Sequence, residues 1–252
     1  MTTSAGWFRC FAPRPGAGLR LVCFPHAGGS VTTFRGWPAL LPASVELVGV
    51  QYPGRQDRYA EPCHEQMAPL ADEIAAAVLA ELTGPLAFFG HSMGAAVGFE
   101  VARRLQAAGR EPVRLFVSAR SAPTRTRPDP LPIHSDDELL GYLRALGGSS
   151  VQLLEHPDLR ELTLPMVRSD LRLIESYRCP DGPPLRCPIT AIVGTEDASC
   201  TAADVAGWRG YTAAGFEVRA FPGGHFYLEP VPATLPGFLL DRLPVRAGHR
   251  SG

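Results

Sequence analysis

The pentapeptide Gly90-His91-Ser92-Met93-Gly94 sets a hydroxyl between two glycines, each two positions away. It follows the strand-like Leu86-Ala87-Phe88-Phe89 and precedes a helical stretch. A nucleophilic serine on a strained strand-to-helix turn needs this form, because glycine lets neighbouring backbone pass without a Cβ clash. The helix that follows would aim its first amides at a developing oxyanion. The pentapeptide alone would arise by chance in about one such chain in seven. The strand before it and the helix after it carry the inference, against the alternative of a buried turn serine.

A serine hydroxyl is a weak nucleophile. It needs a base, and the base needs an orienting acid. On this kind of turn the partners follow in the chain order Ser, Asp or Glu, then His. Seven histidines are present. His26 and His91 precede the acid candidates. His64, His134 and His156 lie in loops or an insertion, and His249 lies in the tail. His225 remains, in Pro222-Gly223-Gly224-His225-Phe226, just past a strand-like run. For the acid, Ile189–Gly194 leads into Thr195-Glu196-Asp197. Asp197 is preferred, with Glu196 as the alternative. The oxyanion needs two amide donors. Met93, next to the serine, supplies one. The loop Phe24-Pro25-His26-Ala27-Gly28-Gly29-Ser30 supplies the other, with Ala27 preferred and Gly28 the alternative. His26 reads as a brace for that loop.

These side chains must be positioned by a scaffold. Apolar runs recur at Leu19–Phe24, Val45–Tyr52, Leu86–Gly90, Val113–Ala119, Ile189–Gly194 and Phe216–Phe221. Most are continuous rather than alternating, as in strands buried on both faces of a parallel sheet. Met67, Leu70, Ile74, Val78 and Leu82 recur at steps of three and four, which predicts a helix over Gln66–Leu82. The stretch after Gly94 reads as a helix capped by Gly109. Strands alternating with helices imply an α/β fold with right-handed crossovers.

One interval breaks the rhythm. About 70 residues separate the strand ending near Ala119 from the one starting near Ile189, far more than an ordinary connection needs. The interval opens with Pro and Arg, then offers helices at Ser135–Leu146 (Ser135 and Glu138 forming a capping box), Asp158–Leu164 and Pro165–Tyr177. Helices over the strand ends would make a lid. The alternative is an extra packed layer with no gating role. The expected division is a core over 1–121, the lid insertion over 122–181, the rest of the core over 182–245 and a frayed tail over 246–252.

Composition narrows the classes further. The 252 residues are 45% hydrophobic and 19% charged, enough apolar material for one sizeable core. The net charge is −1, so no bulk charge draws the chain to nucleic acid or a membrane surface. Every one of the 24 basic residues is Arg. Schiff-base lysine chemistry and lysine-bearing phosphate loops are therefore excluded. Six cysteines form no C-x-x-C pair and complete no zinc site, so no metal is expected and the compartment reads as reducing. No signal peptide and no membrane span is evident, which points to the cytoplasm.

The chain resembles the stand-alone (type II) thioesterases that serve polyketide synthases and nonribosomal peptide synthetases. The resemblance rests on FPHAGG (24–29), QYPGRQDR (51–58), GHSMG (90–94), ELLGYLRALGG (138–148), LPMVRSDLRLIESYR (164–178), CPITAIVGTED (187–197) and FPGGHFYL (221–228). It implies an α/β-hydrolase fold: a mostly parallel central sheet flanked by helices, with a helical lid. It implies Ser92, Asp197 and His225 as the triad, Ala27 and Met93 as oxyanion donors, and a mobile lid over roughly 122 to 181. The family often has Pro after the acid, where this chain has Ala198. Tyr52-Pro53-Gly54-Arg55 belongs to the resemblance and reads as a rigid turn bordering the site.

The implied reaction is hydrolysis of an acyl, aminoacyl or peptidyl thioester held on the phosphopantetheine arm of a carrier protein. The implied role is editing, the removal of stalled or aberrant groups. No cofactor is expected. The partner is an acyl or peptidyl carrier protein, and the chain itself is expected to be a monomer. Arg120, Arg125 and Arg127 could form a docking patch for an acidic carrier, although a solvated loop is the favoured reading. Two rival functions remain. A general carboxylesterase or lipase would be exposed by comparing small oxyesters with carrier-bound thioesters. A non-catalytic binding protein on the same fold would fail to label with a serine probe.

Overall fold

Near-continuous apolar runs become strands because both faces of the sheet are covered. In the computed structural model, alternate residues of one strand feed separate cores. Val22, Phe24 and Phe88 face one cluster, and Leu21, Cys23 and Phe89 face the other. The structure describes residues 6–123, 135–148, 154 and 156–244. The strands are β1 (Phe8–Arg9), β2 (Leu19–Phe24), β3 (Val45–Val50), β4 (Leu86–His91), β5 (Arg114–Ser118), β6 (Ile189–Gly194) and β7 (Phe216–Phe221). They lie in the order β1-β3-β2-β4-β5-β6-β7. β1 is antiparallel to β3, and the remaining pairs are parallel. β1 has no counterpart among the expected strands, because two residues are too short to show a period.

Helices α1 (Met67–Glu81) and α2 (Met93–Ala107) pack on one face. Leu70, Ile74 and Val78 of α1 are buried as the spacing requires. α2 ends as its sequence indicates. Gly109 adopts φ +74°, Arg110 N–H donates to Leu105 O at 2.8 Å, and Gly109 N–H donates to Gln106 O at 3.0 Å. That pair of bonds satisfies carbonyls a helix end leaves bare.

The long interval between β5 and β6 carries α3 (Asp136–Leu146) and α4 (Pro157–Ser176). α3 starts on the expected capping box. Glu138 N–H donates to Ser135 Oγ, and Ser135 N–H donates to the Glu138 carboxylate. The expected break before Pro165 is a correction: α4 is a single helix running through it. Proline removes one N–H and leaves the carbonyl four residues back unbonded. Both Pro165 and Glu161 are exposed, so water can serve that carbonyl. Leu164, Val167, Leu171 and Ile174 pin the buried side across the interruption. The opening of the interval, with Arg125 and Arg127, lies outside the described residues, as does the expected tail. Two short α-helices, α5 (Ala202–Ala206) and α6 (Leu235–Leu240), and four 3-10 turns (Val31–Phe34, Trp37–Leu40, Gln56–Arg58 and Gly207–Tyr211) complete the described elements. No helix among the described residues is long and apolar enough to cross a membrane.

Candidate active site

β2, β4, β6 and β7 are all parallel, so the loops after them emerge at one edge of the sheet. Those loops hold Ala27, Ser92, Asp197 and His225 within a few residues of the strand ends. Residues scattered along the sequence therefore converge.

Ser92 sits between β4 and α2 with φ 53° and ψ −117°. This is a strained backbone for a residue with a Cβ. Neighbouring glycines make room for the turn. A Cβ on Gly90 would lie 2.2 Å from Gly94 O, and one on Gly94 would lie 2.0 Å from Phe24 O. Ser92 N–H is anchored to Ser118 O at 2.8 Å. Its side chain is half-buried and reachable.

The loops after β6 and β7 meet backbone to backbone. A Cβ on Gly194 would lie 2.2 Å from Gly224 O. Thr195 N–H donates to Phe221 O and Glu196 N–H to Gly223 O, each at 2.8 Å. This pairing sets Asp197 beside His225. His225 Nδ1 lies 2.8 Å from Asp197 Oδ2, and His225 Nε2 lies 3.0 Å from Ser92 Oγ. With Nδ1–H donating to the carboxylate, Nε2 is free to accept the serine proton. Glu196 is exposed, whereas Asp197 is buried.

Asp197 Oδ1 accepts three bonds: Ser199 Oγ–H at 2.6 Å, Ser199 N–H at 2.9 Å and Cys200 N–H at 3.1 Å. Burial pushes the carboxyl pKa up. The bonds from His225 and Ser199 outweigh burial, and the net shift is downward. Ser199 Oγ also lies 3.0 Å from His225 Nδ1. The sequence reading missed Ser199, whose only signal is its place two residues after a candidate acid.

The loop after β2 closes as a turn: Gly29 N–H donates to His26 O at 2.9 Å, and Gly28 adopts φ +76°. Gly28 N–H donates to Asp170 Oδ2 at 2.8 Å, so this alternative oxyanion donor is already committed. The Ala27 amide is in neither of these bonds. Met93 is the first residue of α2, where N–H groups have no intrahelical acceptor. His26 is buried, its ring against Phe226 with centroids 4.9 Å apart, and burial lowers its pKa to about 4. Beneath the site, His91 Nδ1 lies 2.9 Å from Ser118 Oγ, which lies 2.7 Å from the Tyr227 hydroxyl.

The insertion borders the site on two sides. A Cβ on Gly148 would lie 2.7 Å from the Phe226 ring, next to His225. A Cβ on Gly28 would lie 2.7 Å from Val167 of α4. Arg120 is half-buried, and its carbonyl accepts from the Trp208 indole at 2.8 Å.

A parallel sheet with a serine at the β4–α2 turn, an acid after β6 and a histidine after β7 defines an α/β-hydrolase. Comparison with known proteins narrows this. The thioesterase domain family model matches residues 19–235. Thioesterase PikA5 of Streptomyces venezuelae is 43% identical over 245 residues, covering 96% of this chain and 87% of the relative. A "Probable cadicidin biosynthesis thioesterase" of Streptomyces griseus is 39% identical over 226 residues, covering 90% of this chain and 63% of the relative. The solved structure of the type II thioesterase BorB from the borrelidin biosynthetic cluster superposes with a TM-score of 0.87 at 40% identity. It covers 96% of this chain and 99% of BorB. The chain belongs to the thioesterase domain family, and it is a thioesterase of the type II kind.

Proposed function

We propose that this chain hydrolyses acyl thioesters carried on the phosphopantetheine arm of a carrier protein, clearing aberrant or stalled groups during polyketide or nonribosomal peptide assembly. The observation that carries the reading is the continuous path Ser92 Oγ–His225 Nε2 at 3.0 Å and His225 Nδ1–Asp197 Oδ2 at 2.8 Å. Ser92 is the nucleophile and His225 the base. Asp197 holds the imidazole in the tautomer that can take the serine proton and stabilises the imidazolium that forms. Attack on the thioester carbonyl gives a tetrahedral oxyanion, received by the amides of Ala27 and Met93. The C–S bond breaks, the thiol leaves with the proton from His225, and an acyl-serine remains. Water, deprotonated by His225, then releases the acid and restores Ser92.

No resident metal or cofactor takes part in this scheme. The thioester arrives tethered to a flexible arm, and the insertion bordering Phe226 and Gly28 is placed to shape the channel that the arm must enter. A relative from the borrelidin biosynthetic cluster and a thioesterase named for cadicidin biosynthesis support the carrier-bound substrate. The test is turnover of a panel of acylated carrier domains by the intact protein and by Ser92→Ala. Carrier-bound thioesters should be released, and the variant should lose several orders of magnitude. Small oxyesters cleaved faster than every carrier-bound thioester would overturn the proposal.

A further inference from the structure

Asp170 is a carboxylate on the buried side of α4, between Val167 and Leu171. Arg55, from the Tyr52-Pro53-Gly54-Arg55 segment after β3, meets it in a fork. Nη1 lies 2.8 Å from Oδ2, and Nη2 lies 2.8 Å from Oδ1. Both residues are buried. An ion pair this deep is a poor device for stability, because desolvation consumes most of what the attraction returns. Its other contacts show what it holds. Asp170 Oδ2 also accepts Gly28 N–H at 2.8 Å, and Arg55 Nη1 donates to Gly29 O at 3.1 Å. Tyr52, its ring 5.2 Å from the Arg55 guanidinium, donates its hydroxyl to Pro25 O at 3.3 Å. Tyr52, Arg55 and Asp170 thus grip the 25–29 loop at Pro25, Gly29 and Gly28 respectively. The amide of Ala27 lies inside that grip.

We propose that Arg55 and Asp170 are positioning residues for the oxyanion site: by fixing Gly28 and Gly29 they hold the turn in which Gly29 N–H bonds His26 O, and that bond orients the His26–Ala27 peptide so that the Ala27 N–H is presented to the substrate carbonyl. The inference rests on the hydrolase reading above. Asp170 lies on the insertion and Ala27 on the core, so the pair also ties the aim of the amide to the seating of α4. Neither side chain touches the reacting atoms. Their effect passes through the loop, where a displacement of about 1 Å costs up to about a hundredfold in rate.

The test uses the full chain, a short acyl-pantetheine thioester and its trifluoromethyl ketone analogue, which forms a tetrahedral oxyanion adduct. Arg55→Lys keeps the pair neutral overall but cannot bridge both carboxylate oxygens and Gly29 together. Arg55→Met with Asp170→Leu replaces the pair with apolar groups of similar size, a change that buried pairs often tolerate without loss of stability. Each variant that melts cooperatively should lose about ten- to a hundredfold in kcat, with KM within about threefold of wild type. Affinity for the ketone should fall by the same factor as kcat/KM. Arg55→Lys supplies the same readouts if the double variant does not fold. An active wild type whose variants keep kcat, or lose it without matching loss of ketone affinity, overturns this inference alone. A wild type that neither turns over the thioester nor binds the ketone overturns the hydrolase reading and this inference with it.

Discussion

Asp197→Asn probes the site through a proton whose position the structure dictates. Oδ1 of Asp197 faces Ser199 N–H, Ser199 Oγ–H and Cys200 N–H, at 2.9, 2.6 and 3.1 Å. An asparagine amide nitrogen placed there would confront two backbone donors and forfeit about 1 kcal/mol per lost bond. The carbonyl oxygen therefore keeps that place, and the NH2 group faces His225 Nδ1, 2.8 Å from the atom it replaces. An NH2 group there can only donate, so Nδ1 must be bare and Nε2 must carry the proton. The imidazole then points a hydrogen at Ser92 and cannot accept one. The expected loss in kcat is about 10⁴-fold, equivalent to about 5 kcal/mol. Asp197→Ala should lose less, because Ser199 Oγ, 3.0 Å from Nδ1, can still accept its proton. The assay is kcat on an acyl-pantetheine thioester for both variants, with circular dichroism as the check on folding. An asparagine variant within tenfold of wild type, or milder than the alanine variant, would refute the tautomer argument.

Stability should fall in mild acid through His26. Its folded pKa is lowered to about 4 from an ordinary 6.5, so the unfolded chain binds the proton first. Stability is therefore full above about pH 7 and erodes as pH drops toward 4, by about 2 kcal/mol between pH 7 and pH 5. Urea unfolding at both pH values should show a shallower pH dependence in His26→Gln; an equal dependence would remove His26 as the cause. Gly94→Ala should destabilise by about 3 kcal/mol or prevent folding, since its Cβ would meet Phe24 O at 2.0 Å and Pro25 O at 2.5 Å. Gly141→Ala, in mid-helix on α3 with no atom of the described residues beyond its own helix turn within 4 Å of its new Cβ, should instead stabilise by up to about 1 kcal/mol. Thermal melting of the two should move in opposite directions.

What was legible in the sequence was whatever has a local physical cause. β2 and β6 begin and end where their apolar runs do, because a strand buried on both faces leaves an unbroken record, whereas β7, at the sheet edge and largely exposed, was legible from the alternating run Phe216–Phe221. The Ser135 cap and the Gly109 stop were legible for the same reason: each satisfies a helix end with residues a few places away. Ser92, Asp197 and His225 stood out because parallel strands deliver their following loops to one edge, which turns chain order into proximity. Pro165 misled, because local propensity cannot see that α4 is pinned along its other side. The Arg55–Asp170 pair was not legible as a pair, since its members lie 115 positions apart. Half of it nevertheless left a trace. Along α4 the buried series runs Leu164, Val167, Asp170, Leu171 and Ile174, and the aspartate occupies a place where periodicity calls for a hydrophobe. A charge on the apolar stripe of an otherwise regular helix costs several kcal/mol unless a partner waits in the core. Such a misfit is a prediction in itself: somewhere in the fold lies an opposite charge. This chain holds 24 arginines and no lysine, and the conspicuous one, after Tyr52-Pro53-Gly54, had no assigned task. Two unexplained residues at distant positions explain each other, and the loop they jointly grip is the one that carries Ala27.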